Sequence, residues 1–227
     1  MQSEGKIIDL TMNIKEGMQT FPVYWHPFVE VTQLGRHGIE NRETRKIVMG
    51  THTGTHMDAP RHFIKNGATV DQIPLEQLVG KATVINFSGA SDFQQIEVDD
   101  LKKAIGSHSL ERLIIRFDWD IKLGTNQYYT DHPFFSEEAC RWLVHNGCRL
   151  IALDTPQPDN PQNGRGSKKD SPNHKILLGN KVIIVECLVN VREIKESEVM
   201  LVVAPLKITE GDGAPARCFA IENTNFD

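Results

Sequence analysis

The sequence lacks the features that mark several large classes of protein. Its four cysteines form no Cys-x-x-Cys pair, which argues against a closed structural zinc site. No apolar run approaches the roughly eighteen residues of a membrane-spanning helix, and the first twenty residues contain no apolar stretch of signal-peptide length. We therefore expect a cytoplasmic protein with reduced cysteines and no membrane partner.

Charge and missing nucleophile motifs exclude further classes. The net charge is −5, and no basic run indicates a nucleic-acid partner. The chain contains neither the Gly-x-Ser-x-Gly elbow of an α/β serine hydrolase nor a Gly-x-x-x-x-Gly-Lys-Ser/Thr phosphate loop. Cys187 lies in an apolar run, where cysteine usually serves as a small buried hydrophobe and not as a nucleophile. A small molecule is the expected ligand.

Length and patterning predict one mixed domain. The 227 residues are 39% hydrophobic and include no Pro/Gly/Ser-rich linker, so we expect a single domain over residues 1–227. Runs rich in Val, Ile and Phe predict strands at residues 6–12, 28–34, 45–50, 82–87, 112–117, 150–153, 181–186, 200–203 and 218–221. Helices are predicted at 74–79, at 98–105, and from a cap at Ser136 to Gly147. This order indicates an α/β fold with a mixed, β-rich sheet.

The strongest chemical signal is the string THTGTHMDAPRHF at residues 51–63. Within eleven residues it holds His52, His56, Asp58 and His62, in a chain with only nine histidines. Imidazole and carboxylate are the ligands that borderline divalent ions prefer. Four candidates exceed the three that a catalytic zinc needs, which favours a catalytic site over purely structural histidines.

The spacing of these residues requires a break in the backbone. Three threonines and Gly54 disfavour a helix through His52 and His56. In a regular strand at roughly 3.3 Å per residue, the two histidines would lie about 13 Å apart, which is too far to share an ion. We therefore predict a bulge or tight turn at Gly54, after which Pro60 ends the strand and directs His62 back.

A second candidate pair lies more than a hundred residues downstream. Glu186 interrupts the apolar run from Val182 to Val189, so we expect it to be buried and to need a cationic partner. The alternative is that the strand ends at Val185 and that Glu186 points to solvent. His174 precedes Glu186 by twelve residues and, taken alone, is an ordinary loop histidine.

These residues resemble the signature H-x-G-T-H-x-D-x-P-x-H-F of the cyclase family of metal-dependent hydrolases, which includes bacterial kynurenine formamidases and isatin hydrolases. The string from His52 to Phe63 matches it throughout. The segments IIDLTMNI, FDW at 117–119, SEEACRWLV, LIALDTPQPD and 174–186 also resemble the family, so the likeness covers most of the chain. It implies a swivelling β/β/α-type fold, with a curved, barrel-like sheet, few peripheral helices and a metal site at one end of the barrel.

The resemblance further implies a role for each candidate. His52 and His56 would bind a first ion, and His174 would bind a second. Asp58 and Glu186 would bridge the two ions. His62 would be the proton donor and acceptor. The family also implies a homodimer or homotetramer.

This assignment is chemically consistent with amide hydrolysis. Two divalent ions held by neutral imidazoles and two carboxylates leave a net positive site that can deprotonate a bound water near neutral pH. The water would attack an amide, formyl or lactam carbonyl while His62 accepts the proton and returns it as the carbon–nitrogen bond breaks. Such ligands suit zinc, manganese and iron alike. We expect two zinc ions per subunit, with manganese as the alternative.

Two segments are candidates for substrate contact. The stretch TFPVYWHP at residues 20–27 falls where formamidase-like relatives carry a Pro-Val-Trp-Pro-Gly-Asp type loop, although the Gly-Asp is missing, so Tyr24 or Trp25 is a candidate substrate-binding residue. Ordinary burial of the rings is the alternative. The polar loop from Pro156 to Pro172 is interpreted as a solvated surface loop, or else as a lid whose basic residues meet an anionic substrate group: Arg165, Lys168 or Lys169.

The sequence thus predicts an arylformamidase-like hydrolase of a small amide, with N-formylkynurenine, an intermediate of tryptophan catabolism, as the first candidate substrate. A lactam or cyclic-amide hydrolase of the isatin type is the alternative within the enzyme class. A non-catalytic, metal-dependent small-molecule binding protein is the alternative outside it.

Overall fold

The computed structural model describes residues 5–223, and its main feature is a curved, closed sheet. The strands are β1 (Ile7–Asp9), β2 (Glu30–Gly35), β3 (Thr44–Val48), β4 (His56–Asp58), β5 (Val79–Asn86), β6 (Gln95–Ile96), β7 (Arg112–Arg116), β8 (Phe134–Phe135), β9 (Leu150–Leu153), β10 (Ile183–Glu186), β11 (Glu198–Pro205) and β12 (Gly213–Ile221). Around the ring the order is β12, β11, β5, β7, β9, β10 and β4, and β4 pairs with β12 to close it. The mixed, barrel-like α/β architecture predicted from the sequence is confirmed.

Both parallel and antiparallel pairing occur in the ring. Strands β5, β7, β9 and β10 are parallel neighbours, whereas β4, β11 and β12 pair antiparallel with their neighbours. Strand β1 adds to the edge of β12 beside β4. Strand β4 therefore lies between β10 and β12, both of which are far from it in the sequence.

The parallel strands are buried on both faces, so their side chains alternate between two cores. Ile114 of β7 and Ala152 of β9 belong to one buried cluster, which also includes residues of β4, β10, β11 and β12. Their chain neighbours Ile115 and Leu153 belong to the other cluster, which also includes apolar residues of the helices. This explains why these strands read as continuous apolar runs in the sequence.

Five short α-helices lie outside the ring: α1 (Leu75–Leu78), α2 (Val98–Ile105), α3 (Gln127–Thr130), α4 (Glu137–His145) and α5 (Pro172–Gly179). The Ser136 hydroxyl caps α4 by accepting a hydrogen bond from the Ala139 amide at 3.1 Å. Gly147, with a φ of 84°, follows its end, as predicted. Within residues 5–223 no helix is both long and apolar enough to cross a bilayer. The cytoplasmic location and the single-domain organisation stay predictions.

The structure corrects the prediction in one region that matters for the site. All nine predicted strands are present, eight of them with shifted ends, but the segment leading to His174 is not a loop throughout. Helix α5 begins at Pro172, because proline suits the first helical position and the Asp159 carboxylate accepts hydrogen bonds from the amides of Asn173 and His174. His174 is therefore a helical residue. The two-residue strands β6 and β8 were also not predicted.

Candidate metal centre and active site

The His52–His62 segment is shaped by its glycine and its proline. Gly54 has a φ of 60°, a left-handed conformation that separates His52 from the strand beginning at His56. After Asp58 the strand ends, and Pro60 starts a short 3₁₀ helix, Pro60–His62, that turns His62 back toward the same site. The predicted break at Gly54 and the predicted strand end near Pro60 are both confirmed.

The register of the sheet brings the distant Glu186 to this segment. Strand β10 pairs antiparallel with β4, with Glu186 opposite His56 and Ile184 opposite Asp58. Glu186 is the last residue of β10 and only 5% exposed, so the alternative of a solvent-facing Glu186 is wrong. His174 reaches the site from α5 and is also buried.

Candidate ligand atoms within the described residues form three groups, and in each group they lie within 4.8 Å of one another. His52, His56 and Asp58 form one group, and Asp58, His174 and Glu186 form a second that shares Asp58 with it. The third group consists of His52, His62 and Asp212. Asp58 is thus placed to bridge. The Glu186 carboxylate also faces both sides, with Oε2 3.4 Å from His56 Nε2 and Oε1 3.1 Å from His174 Nε2. The structure brings all five predicted ligands together.

Each candidate histidine has one ring nitrogen engaged by an acceptor outside the cluster. The Nδ1–H of His56 donates to the Gly54 carbonyl at 2.8 Å, and the Nδ1–H of His174 donates to the Asp159 carboxylate at 2.5 Å. His52 Nε2 lies 2.8 Å from Asp212 Oδ2. Such outer partners orient the rings of metal-binding histidines and fix their tautomers.

The other ring nitrogen of each of these three histidines faces a carboxylate, as expected for a site that binds a cation. His52 Nδ1 lies 2.7 Å from Asp58 Oδ1, and His56 Nε2 lies 3.4 Å from the same oxygen. The other oxygen, Asp58 Oδ2, is buried with no hydrogen-bond partner and lies 3.4 Å from His174 Nε2. A buried carboxylate oxygen without a hydrogen-bond partner, surrounded by histidine nitrogens, provides the kind of ligands that divalent cations bind. The residues present therefore fit a metal centre.

The electrostatics of the protein without metal support this interpretation. Burial by itself lowers the pKa of His56 and His174, but carboxylates including Asp58 and Glu186 outweigh it and raise the pKa of both rings well above their usual range. Burial raises the pKa of Asp58, yet the surrounding histidines, His52 first, lower it well below its usual value. The carboxylates thus require positive charge nearby, which protonated histidines or a bound cation can provide.

His62 has a partner that the sequence did not identify. Its Nδ1 lies 3.2 Å from Asp212 Oδ2, the oxygen that also contacts His52. Asp212 precedes β12, where Gly213 pairs with Asp58, and a Cβ at Gly213 would come within 2.5 Å of the His52 ring. The sequence signal that could have identified Asp212 is the Gly-Asp-Gly triplet at 211–213. In it an acidic residue stands between two glycines, directly before a strand. Contacts to His52 and His62 lower the pKa of the Asp212 carboxyl far below its usual value.

A cavity of about 270 Å³ opens onto the cluster. Trp25 and His26 from the N-terminal segment line it, together with Phe21 and Phe63. Tyr24 does not: it is 94% exposed, at the outer side of a turn closed by a hydrogen bond from the His26 amide to the Val23 carbonyl. Of the two candidates Tyr24 and Trp25, the structure places Trp25 at the cavity, and its contact with substrate stays a prediction. The alternative interpretation, ordinary burial of the rings, is wrong for both residues, because Tyr24 is 94% exposed and Trp25 is 56% exposed.

The loop after Pro156 also contributes to the cavity wall, but through one of its three basic residues. All three basic residues are exposed, but Arg165 lines the cavity, whereas Lys168 and Lys169 lie outside its lining. The nearby Gln157 lines it too, and its amide lies 3.3 Å from Nε2 of the buried His132. The interpretation of the segment as a solvated surface loop holds for residues 164–169, which are exposed, but is wrong at its start, where Pro156, Pro158 and Asp159 are buried.

With this geometry established, comparison with known proteins identifies the family. Residues 8–160 match the family described as Putative cyclase, and the chain belongs to that family. A relative from Erythrobacter litoralis, named kynurenine formamidase, is 29% identical over 221 residues, which cover 97% of this chain and 96% of the relative.

Solved structures agree with this assignment. The chain superposes on isatin hydrolase A from Labrenzia aggregata, solved with benzyl benzoate, with a TM-score of 0.86, 26% identity, and coverage of 97% of this chain and 94% of that one. It also superposes on a structure described as a potential metal-dependent hydrolase with cyclase activity, with a TM-score of 0.76, 29% identity, and coverage of 97% and 100%.

Proposed function

We propose that this protein is a metal-dependent hydrolase that cleaves the carbon–nitrogen bond of a small amide, with N-formylkynurenine as the first candidate substrate. The observation that carries the proposal is the pair of ligand groups sharing Asp58, beside His62, which lies with His52 and Asp212 in a third group and which we assign to proton transfer. The names of its relatives support an amide substrate: kynurenine formamidase in one case and isatin hydrolase in another.

Two divalent cations, of which zinc is our first choice and manganese our second, would be held in the two groups. His52 and His56 would hold one, His174 the other, and Asp58 and Glu186 would bridge. When bound, the cations would supply Lewis acidity to the substrate carbonyl and would lower the pKa of water. Metal analysis of the purified protein tests this, and fewer than two equivalents after loading with zinc or manganese would contradict it.

Proton transfer is assigned to His62. Because its Nδ1 faces the Asp212 carboxylate, Nδ1 holds the proton and Nε2 keeps a lone pair for accepting another. In hydrolysis the oxygen of water bonds to the carbonyl carbon, His62 accepts the proton, and the same proton passes to the nitrogen as the carbon–nitrogen bond breaks. A formamide gives formate and an amine, and a lactam gives a ring-opened amino acid.

The cavity suits a small aromatic substrate. Its volume of about 270 Å³ and its aromatic wall of Phe21, Trp25 and Phe63 offer surfaces against which one aryl ring could stack. The Phe63 ring already packs 4.5 Å from the His62 ring and 4.7 Å from the His174 ring, so a substrate ring beside Phe63 would bring its amide close to both histidines.

A substrate panel separates the candidates. Wild-type protein loaded with zinc or manganese is assayed with N-formyl arylamines, with isatin-like lactams and with simple aliphatic amides. Turnover of the formyl arylamines alone supports the formamidase assignment, and turnover of the lactams alone supports the isatin-type alternative, which the structural match to isatin hydrolase A favours. Metal binding without turnover of any compound would support a binding protein and contradict the hydrolase proposal.

We also propose that the chain forms a homodimer or homotetramer. The hairpin of β2 and β3 is a separate two-stranded sheet, and several large apolar side chains on or beside it are exposed: Phe28, Leu34, Ile39 and Ile47. Exposed apolar groups clustered in this way usually mark an interface. Sedimentation velocity at micromolar concentration tests this, and a monomeric protein would contradict it.

A further inference from the structure

Arg165 occupies a distinct position on the cavity wall. It lines the same cavity as His62 and His174, and its guanidinium lies 4.8 Å from the ring centroid of Phe21 and 5.5 Å from that of Trp25. Guanidinium groups over aromatic faces are held by cation–π attraction. Arg165 is thus the one basic residue of this loop that lines the cavity, and the rings of Phe21 and Trp25 hold its guanidinium in place.

This guanidinium has no anionic partner within the described part of the chain. Among residues 5–223, no carboxylate forms an ion pair with Arg165, and its N–H groups donate to no acceptor. The carboxylate that acts on it electrostatically is Asp170, but the two oxygens of Asp170 accept hydrogen bonds from the Gly166 amide at 2.8 Å and from the Ser171 hydroxyl at 3.0 Å. The Arg165 donors are therefore available to a ligand.

We propose that Arg165 is a specificity-determining residue that binds a carboxylate on the substrate, at the end remote from the amide that is cleaved. The inference rests on the proposed function and narrows its substrate class to acylated arylamines that carry a carboxylate. The planar guanidinium binds a carboxylate through two parallel hydrogen bonds, a geometry that a lysine ammonium does not reproduce. Lys168 and Lys169 supply charge on the same loop but lie outside the cavity.

A binding experiment tests this without turnover. Metal-loaded wild-type protein and the Arg165→Gln variant are titrated calorimetrically with matched arylamines: the aminobenzoate isomers and the corresponding neutral aminobenzamides. We expect wild type to bind at least one aminobenzoate about 10- to 100-fold more tightly than its benzamide, the usual value of a charged hydrogen-bonded pair. Arg165→Gln should abolish this preference, Arg165→Lys should retain part of it, and Lys168→Gln should retain all of it.

A kinetic experiment separates this inference from the proposed function. With N-formyl derivatives of the same arylamines, Arg165→Gln should raise KM for the carboxylated substrate by about 10- to 100-fold, while kcat and the constants for neutral formanilide change little. A carboxylate preference that persists in Arg165→Gln would mean that the carboxylate binds the metal instead and would overturn the inference. Equal losses for charged and neutral ligands would overturn it as well. If wild type hydrolyses no compound but loses its carboxylate preference in Arg165→Gln, the hydrolase proposal fails and the anion site stands.

Discussion

The inner and outer walls of the cavity are built on different principles. The inner wall consists of buried side chains on β4, β10 and α5, each held by the sheet register or by a hydrogen bond to an outer acceptor. The outer wall consists of the segment from Phe21 to His26 and the loop bearing Arg165, and the Arg165 guanidinium joins the two through cation–π contacts. We infer that the inner wall performs the chemistry and that the outer wall selects the substrate.

Asp58→Asn is expected to have the largest effect, because it removes the charge shared by both ligand groups. We expect kcat/KM to fall by about 10⁴-fold, which corresponds to ~5 kcal/mol of transition-state stabilisation. Metal content should fall as well, as measured by elemental analysis. The matched control is Asp99→Asn on α2, where the carboxylate is exposed and remote from the site. An Asp58→Asn variant with full metal content and normal turnover would disprove the bridging role.

His62→Ala tests whether the fourth candidate of the cluster is a proton carrier or another ligand. Removing a positioned general acid–base should lower kcat by about 10³-fold while metal content stays at the wild-type value. His145→Ala, at the exposed end of α4, is the control. Loss of metal in His62→Ala would make His62 a ligand, and normal turnover would remove it from the mechanism.

Asp212→Asn tests the residue that connects His52 with His62. Outer carboxylates that orient such histidines typically contribute 10- to 100-fold to metal affinity or activity, so we expect a loss of about 30-fold in kcat or in metal affinity. A variant with unchanged activity and metal affinity would show that these contacts are incidental.

Trp25→Ala should have the smallest effect and should act on binding rather than on the chemical step. Loss of one stacking ring should raise KM by about 2- to 10-fold with kcat nearly unchanged. Tyr24→Ala is the matched control, since Tyr24 packs edge-on against Trp25 at 4.7 Å but does not line the cavity. A larger effect of Tyr24→Ala would reverse the assignment of the two aromatics. A fall in kcat with unchanged KM in Trp25→Ala would contradict the assignment of chemistry to the inner wall and substrate selection to the outer wall.

The inner wall could be predicted from the sequence far better than the outer wall. Its ligand types are rare and closely spaced, so His52, His56, Asp58 and the break at Gly54 could be recognised from the letters alone. The buried state of Glu186 could be predicted as well, because burying a carboxylate in an apolar run demands a partner. Asp159 and Asp212 were missed, because a carboxylate that contacts a histidine across the fold resembles any surface acid in the sequence.

The outer wall could not be resolved because it depends on directions of side chains in irregular backbone. The sequence offered Tyr24 and Trp25 as equals, and one turn decided between them. It likewise offered Arg165, Lys168 and Lys169 together, and the path of the loop selected Arg165. Loop conformation follows from many weak local contacts, so composition does not specify it.

By itself, the sequence determined which residues could bind metal and that the fold combines parallel strands with a β-rich sheet, because ligand chemistry and hydrophobic periodicity are local properties. Only the tertiary structure decided how the distant residues meet, and it alone added Asp159 and Asp212 to the set that the family resemblance implied. The antiparallel pairing of β4 with both β10 and β12 brings Glu186 and Asp212 to the histidine segment, and closure of the ring fixes that pairing. Strand register is a property of the whole sheet, so no segment of the sequence encodes it alone.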